Sequence, residues 1–167
     1  RDPAFERQVA HVLEQTRFSP ERLQFEITEG YLLANPERVV RAVETFKARG
    51  MSVALDDFGT GFTSIPYLRS YGFSHIKLDK SLLAGLAPGA KATMLVTGAI
   101  NLARGLDMAV IAEGVETEAQ AEILRAAGCH ELQGYLFGKP LPLAEFIEAC
   151  RRSGRPLGAE RWLRAAG

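Results

Sequence analysis

Short apolar segments alternate with amphipathic segments of helical spacing along most of this 167-residue chain. Five apolar segments are predicted to be strands, over residues 22–28, 51–57, 75–79, 108–113 and 131–135. Strands that alternate with helices in this way form parallel βα units joined by right-handed crossovers. The alternation therefore predicts a single α/β unit built around a parallel sheet.

Several helix boundaries can be located from local signals. Asn35 followed by Pro36 predicts a helix start, and Gly50 predicts the end of the same helix. Thr117 and Gln120 have the spacing of a capping box, and Gly128 closes the helix that follows it. These signals divide the chain into βα units without an internal linker.

Composition excludes several classes of protein. Apolar residues make up 47% and charged residues 24% of the chain, as in soluble packed domains. Lys plus Arg and Asp plus Glu number 20 each, so the net charge is +0, and this balance argues against binding to a nucleic-acid polymer or a membrane surface. No apolar run approaches the ~18 residues of a membrane span. Because Cys129 and Cys150 lack the spacing of a zinc or redox motif, we expect two reduced thiols in a cytoplasmic domain.

The chain begins at Arg1-Asp2-Pro3, without Met and without an apolar segment behind the charged residues. We therefore expect no signal peptide and expect the sequence to be a piece of a longer protein.

Carboxylates follow four of the predicted strands near their carboxyl ends. The seven residues are Glu26, Glu29, Asp56, Asp57, Asp79, Glu113 and Glu116. Functional residues of parallel α/β folds collect at this edge of the sheet. Lys77 lies inside a predicted strand, where an unpaired ammonium would be costly. The pattern predicts a charged site to which Lys77 contributes.

Seven carboxylates on one rim repel each other unless cations bind among them, and oxygen ligands suit Mg²⁺ or Mn²⁺. His11, His75 and His130 show no zinc-motif spacing. The alternative is that each acidic residue only caps a helix or lies in a solvated loop. Four acidic strand ends in succession together with Lys77 favour a metal-dependent site.

The loop from Asp57 to Ser64 contains Gly59 and Gly61 but is not a phosphate-binding loop, since Ser64 stands where GxGxxG requires its third glycine. Two interpretations stay open for it. It is either a mobile loop beside the metals or a tight βα turn.

Several segments together resemble the EAL domain family, the bacterial cyclic-di-GMP phosphodiesterases. The matching segments, in order, are Glu26-Ile27-Thr28-Glu29, Asp56-Asp57-Phe58-Gly59-Thr60-Gly61-Phe62, Ile76-Lys77-Leu78-Asp79, Ala112-Glu113-Gly114-Val115-Glu116-Thr117, Gln133-Gly134-Tyr135-Leu136-Phe137 and Lys139-Pro140-Leu141-Pro142. The resemblance covers nearly the whole chain. It implies a TIM-type (β/α) barrel, here a partial barrel holding strands four to eight, with residues 1–153 as the EAL domain and 154–167 as a basic tail.

The resemblance also implies a two-metal site for Mg²⁺ or Mn²⁺ that is incomplete in this chain. Glu26 and Asp56 would bind the first metal, together with two ligands of the family that lie upstream of this sequence. One of those is in the Glu-Ala-Leu signature, and the other is an Asn on the next strand. Asp56, Asp57 and Glu113 would bind the second metal.

The remaining site residues receive roles from the same resemblance. Lys77 would hold the attacking water or the scissile phosphate oxygens, and Asp79 would support it. Glu29 would order the Asp57–Ser64 loop. Glu116 and Gln133 would line the second metal and the guanine side of the pocket.

The implied activity is hydrolysis of cyclic-di-GMP to linear pGpG, with the isolated piece inactive. Two alternatives stay open, namely a non-catalytic sensor that binds cyclic-di-GMP or a protein partner, and a structural module that pairs through open sheet edges. The resemblance further implies a homodimer of the complete domain, neighbouring diguanylate cyclase-like or sensory domains, and a cytoplasmic location, within a larger membrane-bound sensor in some cases.

The chain departs from the usual family residues at a few positions, which are Gly30, Phe62-Thr63, His130 and Gly138. None of these is an expected metal ligand, and His130 leaves open which hydrogen bonds form near Gln133.

Overall fold

A five-stranded parallel sheet forms the centre of the computed structural model, which describes residues 3–61 and 65–152. Its strands are β1 (Gln24–Thr28), β2 (Ser52–Phe58), β3 (His75–Leu78), β4 (Ala109–Ala112) and β5 (Glu131–Leu132). They pair in chain order, β1-β2-β3-β4-β5, with no crossing to the other side of the sheet. A singly wound order is that of a (β/α) barrel, whereas a doubly wound fold reverses direction. The predicted partial barrel is confirmed.

One helix precedes the first strand, and at least one helix follows each strand. The α-helices are α1 (Pro3–Thr16), α2 (Glu29–Ala34), α3 (Pro36–Ala48), α4 (Ile65–Tyr71), α5 (Lys91–Gly105), α6 (Glu118–Ala126) and α7 (Leu143–Arg152). Short 3₁₀ helices cover Pro20–Arg22 and Lys80–Leu83. None of the described helices has the length and apolar content needed to cross a bilayer.

The local signals located most helix boundaries correctly. The capping box of Thr117 and Gln120 is present at the start of α6, and Gly50 and Gly128 follow their helices with positive φ. Pro36 is the first residue of α3, but the Asn35 side chain does not cap it and instead donates to the Tyr31 carbonyl oxygen. The alternation did not predict α2, which follows β1 directly because the Thr28 hydroxyl accepts a hydrogen bond from the Tyr31 N–H.

The last strand is shorter than predicted. Only Glu131 and Leu132 pair as a strand, although the prediction extended to residue 135. Beyond Leu132 the chain turns toward the loop that follows β4, and the Gln133 N–H still donates to the Ala112 carbonyl oxygen. The tail over residues 154–167 lies outside the described residues.

The two faces of the sheet differ in chemistry. Alternate residues of β2, β3 and β4 join the apolar core against the helices, and they are Val53, Leu55, Ile76, Leu78, Val110 and Ala112. The intervening positions face the other way and include Glu26, Asp56 and Lys77. One face therefore stabilises the fold by apolar burial, and the opposite face carries charge.

Cys129 and Cys150 are both buried and neither forms a disulfide bond, as expected for reduced thiols. The Cys129 Sγ lies 3.5 Å from the Val110 carbonyl oxygen and 3.3 Å from that of Glu131. Burial raises the pKa of the Cys129 thiol to about 11, since the thiolate is poorly solvated there.

We predict that Cys129 does not react with a maleimide at pH 8 in a folded Cys150→Ala variant and reacts once guanidinium unfolds the chain. Because the folded state holds the thiol neutral, its contribution to stability is complete below about pH 8.5 and declines as the pH rises toward 11. Mass spectrometry of the labelled protein measures the first effect. Rapid labelling of the folded variant would contradict the burial of this thiol.

Candidate active site at the carboxyl ends of the strands

The Lys77 ammonium is the centre of the charged face. Its Nζ lies 2.7 Å from Glu26 Oε2, 3.0 Å from Asp56 Oδ1 and 2.6 Å from Glu113 Oε1. These side chains come from β1, β2 and the residue after β4, which the parallel pairing brings to one edge of the sheet. Lys77 itself is 5% exposed. The predicted convergence of these four residues is therefore present.

The charges in this cluster do not balance. Burial alone would lower the pKa of Lys77, but Glu113, Glu26 and Asp56 outweigh it and hold the pKa above its ordinary value. The ammonium therefore stays charged, and three carboxylates against one ammonium leave a net charge of −2. A divalent cation or a further positively charged group would compensate it.

Asp56 and Asp57 occupy an irregular part of β2. The pairing of β2 with β3 shifts register between Leu55 and Phe58, which is the signature of a β-bulge. Asp57 has a φ of 56°, a left-handed conformation that is strained for most side chains. Such strain often marks a functional site. In a regular strand the side chains of Asp56 and Asp57 would point to opposite faces of the sheet. The bulge interrupts this alternation.

Glu29 lies under the loop that follows β2. It is 1% exposed, and its Oε2 accepts hydrogen bonds from the N–H groups of Gly59 at 3.3 Å and Gly61 at 3.0 Å. A Cβ on Gly61 would lie 2.9 Å from the Glu29 carboxyl carbon, so glycine is needed for this approach. The described part of the loop is a turn held by a buried carboxylate, while residues 62–64, and with them the Phe62-Thr63 departure, lie outside the described residues.

Besides Glu29, four of the expected site residues are not among the ion-pair partners of Lys77, and they are Asp57, Asp79, Glu116 and Gln133. The Asp79 carboxylate caps the 3₁₀ helix Lys80–Leu83 by accepting from the Ser81 N–H at 2.9 Å, and the hydrogen bonds from Ser81 hold the pKa of Asp79 below its usual range. Glu116 and Gln133 are exposed at the rim. Asp79-Lys80-Ser81 is a recognisable capping pattern, and this signal in the sequence would have predicted the cap.

His130 contacts the amino end of the sheet. Its Nδ1 accepts a hydrogen bond from the Val110 N–H at 3.0 Å, before β5 begins. This contact lies at the amino ends of the strands, opposite the charged edge. His130 and Gln133 lie at opposite ends of β5, so the hydrogen bond of the His130 ring is not part of the charged edge.

The donor set fits divalent cations in chemistry. Asp56 Oδ1 is buried, and beyond the Lys77 ammonium at 3.0 Å it has no hydrogen-bond partner among the described residues, so it retains a lone pair for a cation. The described side chains, however, contain no group of three His, Cys, Asp or Glu in the geometry of a formed metal site. The carboxylates instead surround an ammonium at 2.6–3.0 Å, which is wider than the ~2.1 Å shell of Mg²⁺.

Comparison with known proteins identifies one family to which this chain is similar. A family model described as "EAL domain" matches residues 1–140. The chain is 37% identical over 152 residues to the cyclic di-GMP phosphodiesterase NbdA of Pseudomonas aeruginosa, covering 89% of this chain and 19% of that protein. The chain also covers only 18% of the length of each of two further relatives, one from Caulobacter vibrioides and one from Sinorhizobium fredii. It therefore spans about a fifth of these relatives.

Two solved structures are similar in fold. The PaMucR phosphodiesterase in complex with c-di-GMP matches with a TM-score of 0.82 and 33% identity, over 87% of this chain and 64% of that one. Klebsiella pneumoniae BlrP1 in a manganese/cy-diGMP complex matches with a TM-score of 0.76 and 25% identity, over 84% of this chain and 36% of that one.

We predict that Lys77→Met destabilises the chain by about 3 kcal/mol, because three carboxylates are then left without their cation. Mn²⁺ should raise the melting temperature of this variant more than that of the wild type, since it replaces the lost charge. Thermal unfolding with and without Mn²⁺ measures both effects. Lys80→Ala, an exposed lysine three residues away, serves as the control and should change neither value. An unaltered melting temperature for Lys77→Met would contradict this account of the cluster.

We also predict that Glu29→Ala removes the hydrogen-exchange protection of the Gly59 and Gly61 amides, because both donors lose their acceptor. Glu29→Gln retains an acceptor oxygen and should preserve most of the protection. Amide exchange followed by NMR distinguishes the two variants. Equal protection in Glu29→Ala and wild type would show that the carboxylate does not hold the loop.

Proposed function

This chain belongs to the EAL domain family, and on that premise we propose that it forms part of a metal-dependent phosphodiesterase that hydrolyses cyclic-di-GMP to linear pGpG. The relative NbdA is named as an enzyme of this activity, and the similar PaMucR structure contains c-di-GMP. The observation that carries the proposal is the cluster of Glu26, Asp56 and Glu113 around Lys77, at the edge of the sheet where barrel enzymes place their active sites.

The carboxylates are the proposed ligands of Mg²⁺ or Mn²⁺. Glu26 and Asp56 would hold one ion together with residues from an upstream part of the protein, and Asp56, Asp57 and Glu113 would hold the other. When bound, such ions supply an activated water and neutralise phosphate charge. The manganese in the similar BlrP1 structure supports this choice of metal.

Lys77 would act on the reacting phosphodiester directly. Its pKa stays above the ordinary value, so the ammonium is charged at neutral pH and can donate to a phosphoryl oxygen as negative charge develops there. Water adds to phosphorus while the bond to the 3′ oxygen breaks, which leaves a 5′ phosphate and a 3′ hydroxyl in the linear product. Three carboxylates now share this ammonium, so a phosphate could reach it only if some of these carboxylates ligated a metal ion instead.

The other rim residues have secondary parts in the proposal. Glu116 and Gln133 are exposed beside Glu113 and would contact the second metal and a guanine. Glu29 would order the loop after β2. Asp79 would support Lys77 through the backbone of the segment that it caps, since no side-chain contact joins them among the described residues.

The wider assignments follow from the family. We propose that residues 1–153 are the carboxyl-terminal part of an EAL domain, that 154–167 form a tail, and that the parent protein is a cytoplasmic or membrane-attached regulator with further signalling domains. A homodimer of the complete domain belongs to the same proposal.

A non-catalytic receptor for cyclic-di-GMP is the second candidate. One observation favours it, namely that the Lys77 ammonium already has Glu26, Asp56 and Glu113 as partners. A receptor needs only to bind the dinucleotide and can keep this arrangement permanently.

We predict that a version extended upstream into the parent sequence converts cyclic-di-GMP to pGpG with Mn²⁺, whereas residues 1–167 alone do not. Chromatographic detection of the linear product measures both. In the extended form, Asp56→Asn should reduce turnover by about 10³-fold or more while thermal unfolding stays two-state, because the charge is lost without a change in size.

The matched control is Glu122→Gln, an exposed carboxylate on α6 that should leave turnover unchanged. Binding of cyclic-di-GMP by the extended form without any product would favour the receptor. Full turnover by Asp56→Asn would refute the proposed metal site.

A further inference from the structure

The loop Glu113–Glu116, here called the β4 loop, is hydrogen-bonded on both sides. The Glu113 N–H donates to the Leu78 carbonyl oxygen at 3.1 Å, on the β3 side. On the β5 side the Val115 N–H donates to the Gln133 carbonyl oxygen at 3.0 Å, and the Val115 carbonyl oxygen accepts from the Leu136 N–H at 3.1 Å. Val115 is fully buried. Glu113, which contacts Lys77, is therefore carried by a backbone segment with fixed neighbours.

Gly134 makes the contact on the β5 side possible. A Cβ at this position would overlap the carbonyl oxygen and the nitrogen of Val115. Both atoms belong to the backbone, so no side-chain rotation can relieve the overlap. Gly134 does not have a positive φ, so the need for glycine here is one of space and not of conformation.

Gly114 has the same role on the β3 side. Its Cβ would lie 2.5 Å from the Lys80 Cβ and 3.5 Å from the Lys80 Cα, at the start of the 3₁₀ helix Lys80–Leu83. The Lys80 Cβ is fixed by its own backbone and cannot swing away. Gly114 also has a φ of 69°, so a side chain here brings both strain and overlap.

We propose that Gly114 and Gly134 are positioning residues for Glu113. Because neither has a Cβ, the β4 loop packs directly between Lys80 and the turn after β5, and this packing sets the distance of the Glu113 carboxylate from Lys77 and from Asp56. The inference rests on the proposed function, in which Glu113 binds a metal ion. A Cβ on either glycine pushes the loop away from its neighbours and moves the carboxylate with it.

The test on the Lys80 side uses two double variants that differ by one carbon. Lys80→Ala with Gly114→Ala retains the overlap, since alanine keeps its Cβ. Lys80→Gly with Gly114→Ala removes the overlap while the strain at position 114 is unchanged. The single variants Lys80→Ala and Lys80→Gly retain Gly114 and measure what each substitution in the 3₁₀ helix does without a Cβ at position 114. All are made in the extended form of the protein.

Three measurements test the position of the loop. The ¹H–¹⁵N shift of the Val115 amide reports the hydrogen bond of that amide in the absence of metal. A Mn²⁺ titration measures the metal affinity of the carboxylates, and steady-state kinetics separates the effect on kcat from the effect on KM. We expect the Lys80→Ala double variant to shift the Val115 amide and to weaken Mn²⁺ binding by about 10- to 100-fold, the range for groups that orient a metal ligand. It should also lower kcat more than it raises KM. The Lys80→Gly double variant should recover most of each loss.

The test on the other side compares two glycines of one loop. Gly134→Ala should lower Mn²⁺ affinity in the same range, whereas Gly138→Ala should not, because nothing lies within 4 Å of a Cβ at position 138. If Gly134→Ala does not fold, the Lys80 pair still decides the question.

Equal Mn²⁺ affinities for the two double variants would overturn the positioning proposal while leaving the phosphodiesterase assignment in place. If instead the wild type neither binds Mn²⁺ nor yields product, the proposed function fails. The Val115 amide shift then still shows whether the two glycines set the position of the β4 loop.

Discussion

The contact of one ammonium with three carboxylates is the constraint on which the charged edge of this structure depends. Glu26, Asp56 and Glu113 come from separate strands, and in water their mutual repulsion would keep them apart. Lys77 compensates only part of that charge, so the edge keeps a net negative charge near a buried side chain. The apolar face of the same strands supplies the burial that holds this arrangement together.

The same constraint explains why the surrounding backbone is so restricted. The β-bulge at Asp56 and Asp57, the buried Glu29 and the two glycines beside the β4 loop all limit where a carboxylate can be. When a metal ligand is displaced by a fraction of an ångström, the affinity of the site for the metal falls. Rigid support from neighbouring segments is therefore part of such a site. Support and chemistry therefore come from the same loops.

The central cluster could be predicted from the sequence because the end of each strand is a local signal and parallel strands place their carboxyl ends at one edge. Glu26, Asp56, Lys77 and Glu113 were expected on one edge, and parallel pairing brings them there. Sequence reasoning was less successful for residues just beyond the strands. If the strand continued, the Asp79 side chain would point to the same face as Lys77. The chain leaves the strand after Leu78, however, and the Asp79 carboxylate caps the 3₁₀ helix that follows.

The sequence by itself determined the α/β class, the positions of the five strands along the chain and the residue types available for chemistry, because these depend on spacing along the chain. Only the tertiary structure decided how those residues meet. The distances around Lys77, the acceptor that Glu29 offers to Gly59 and Gly61, and the absence of room for a Cβ at Gly114 and Gly134 all arise between segments far apart in the chain. Such contacts are set by packing to van der Waals distance, which no local pattern records.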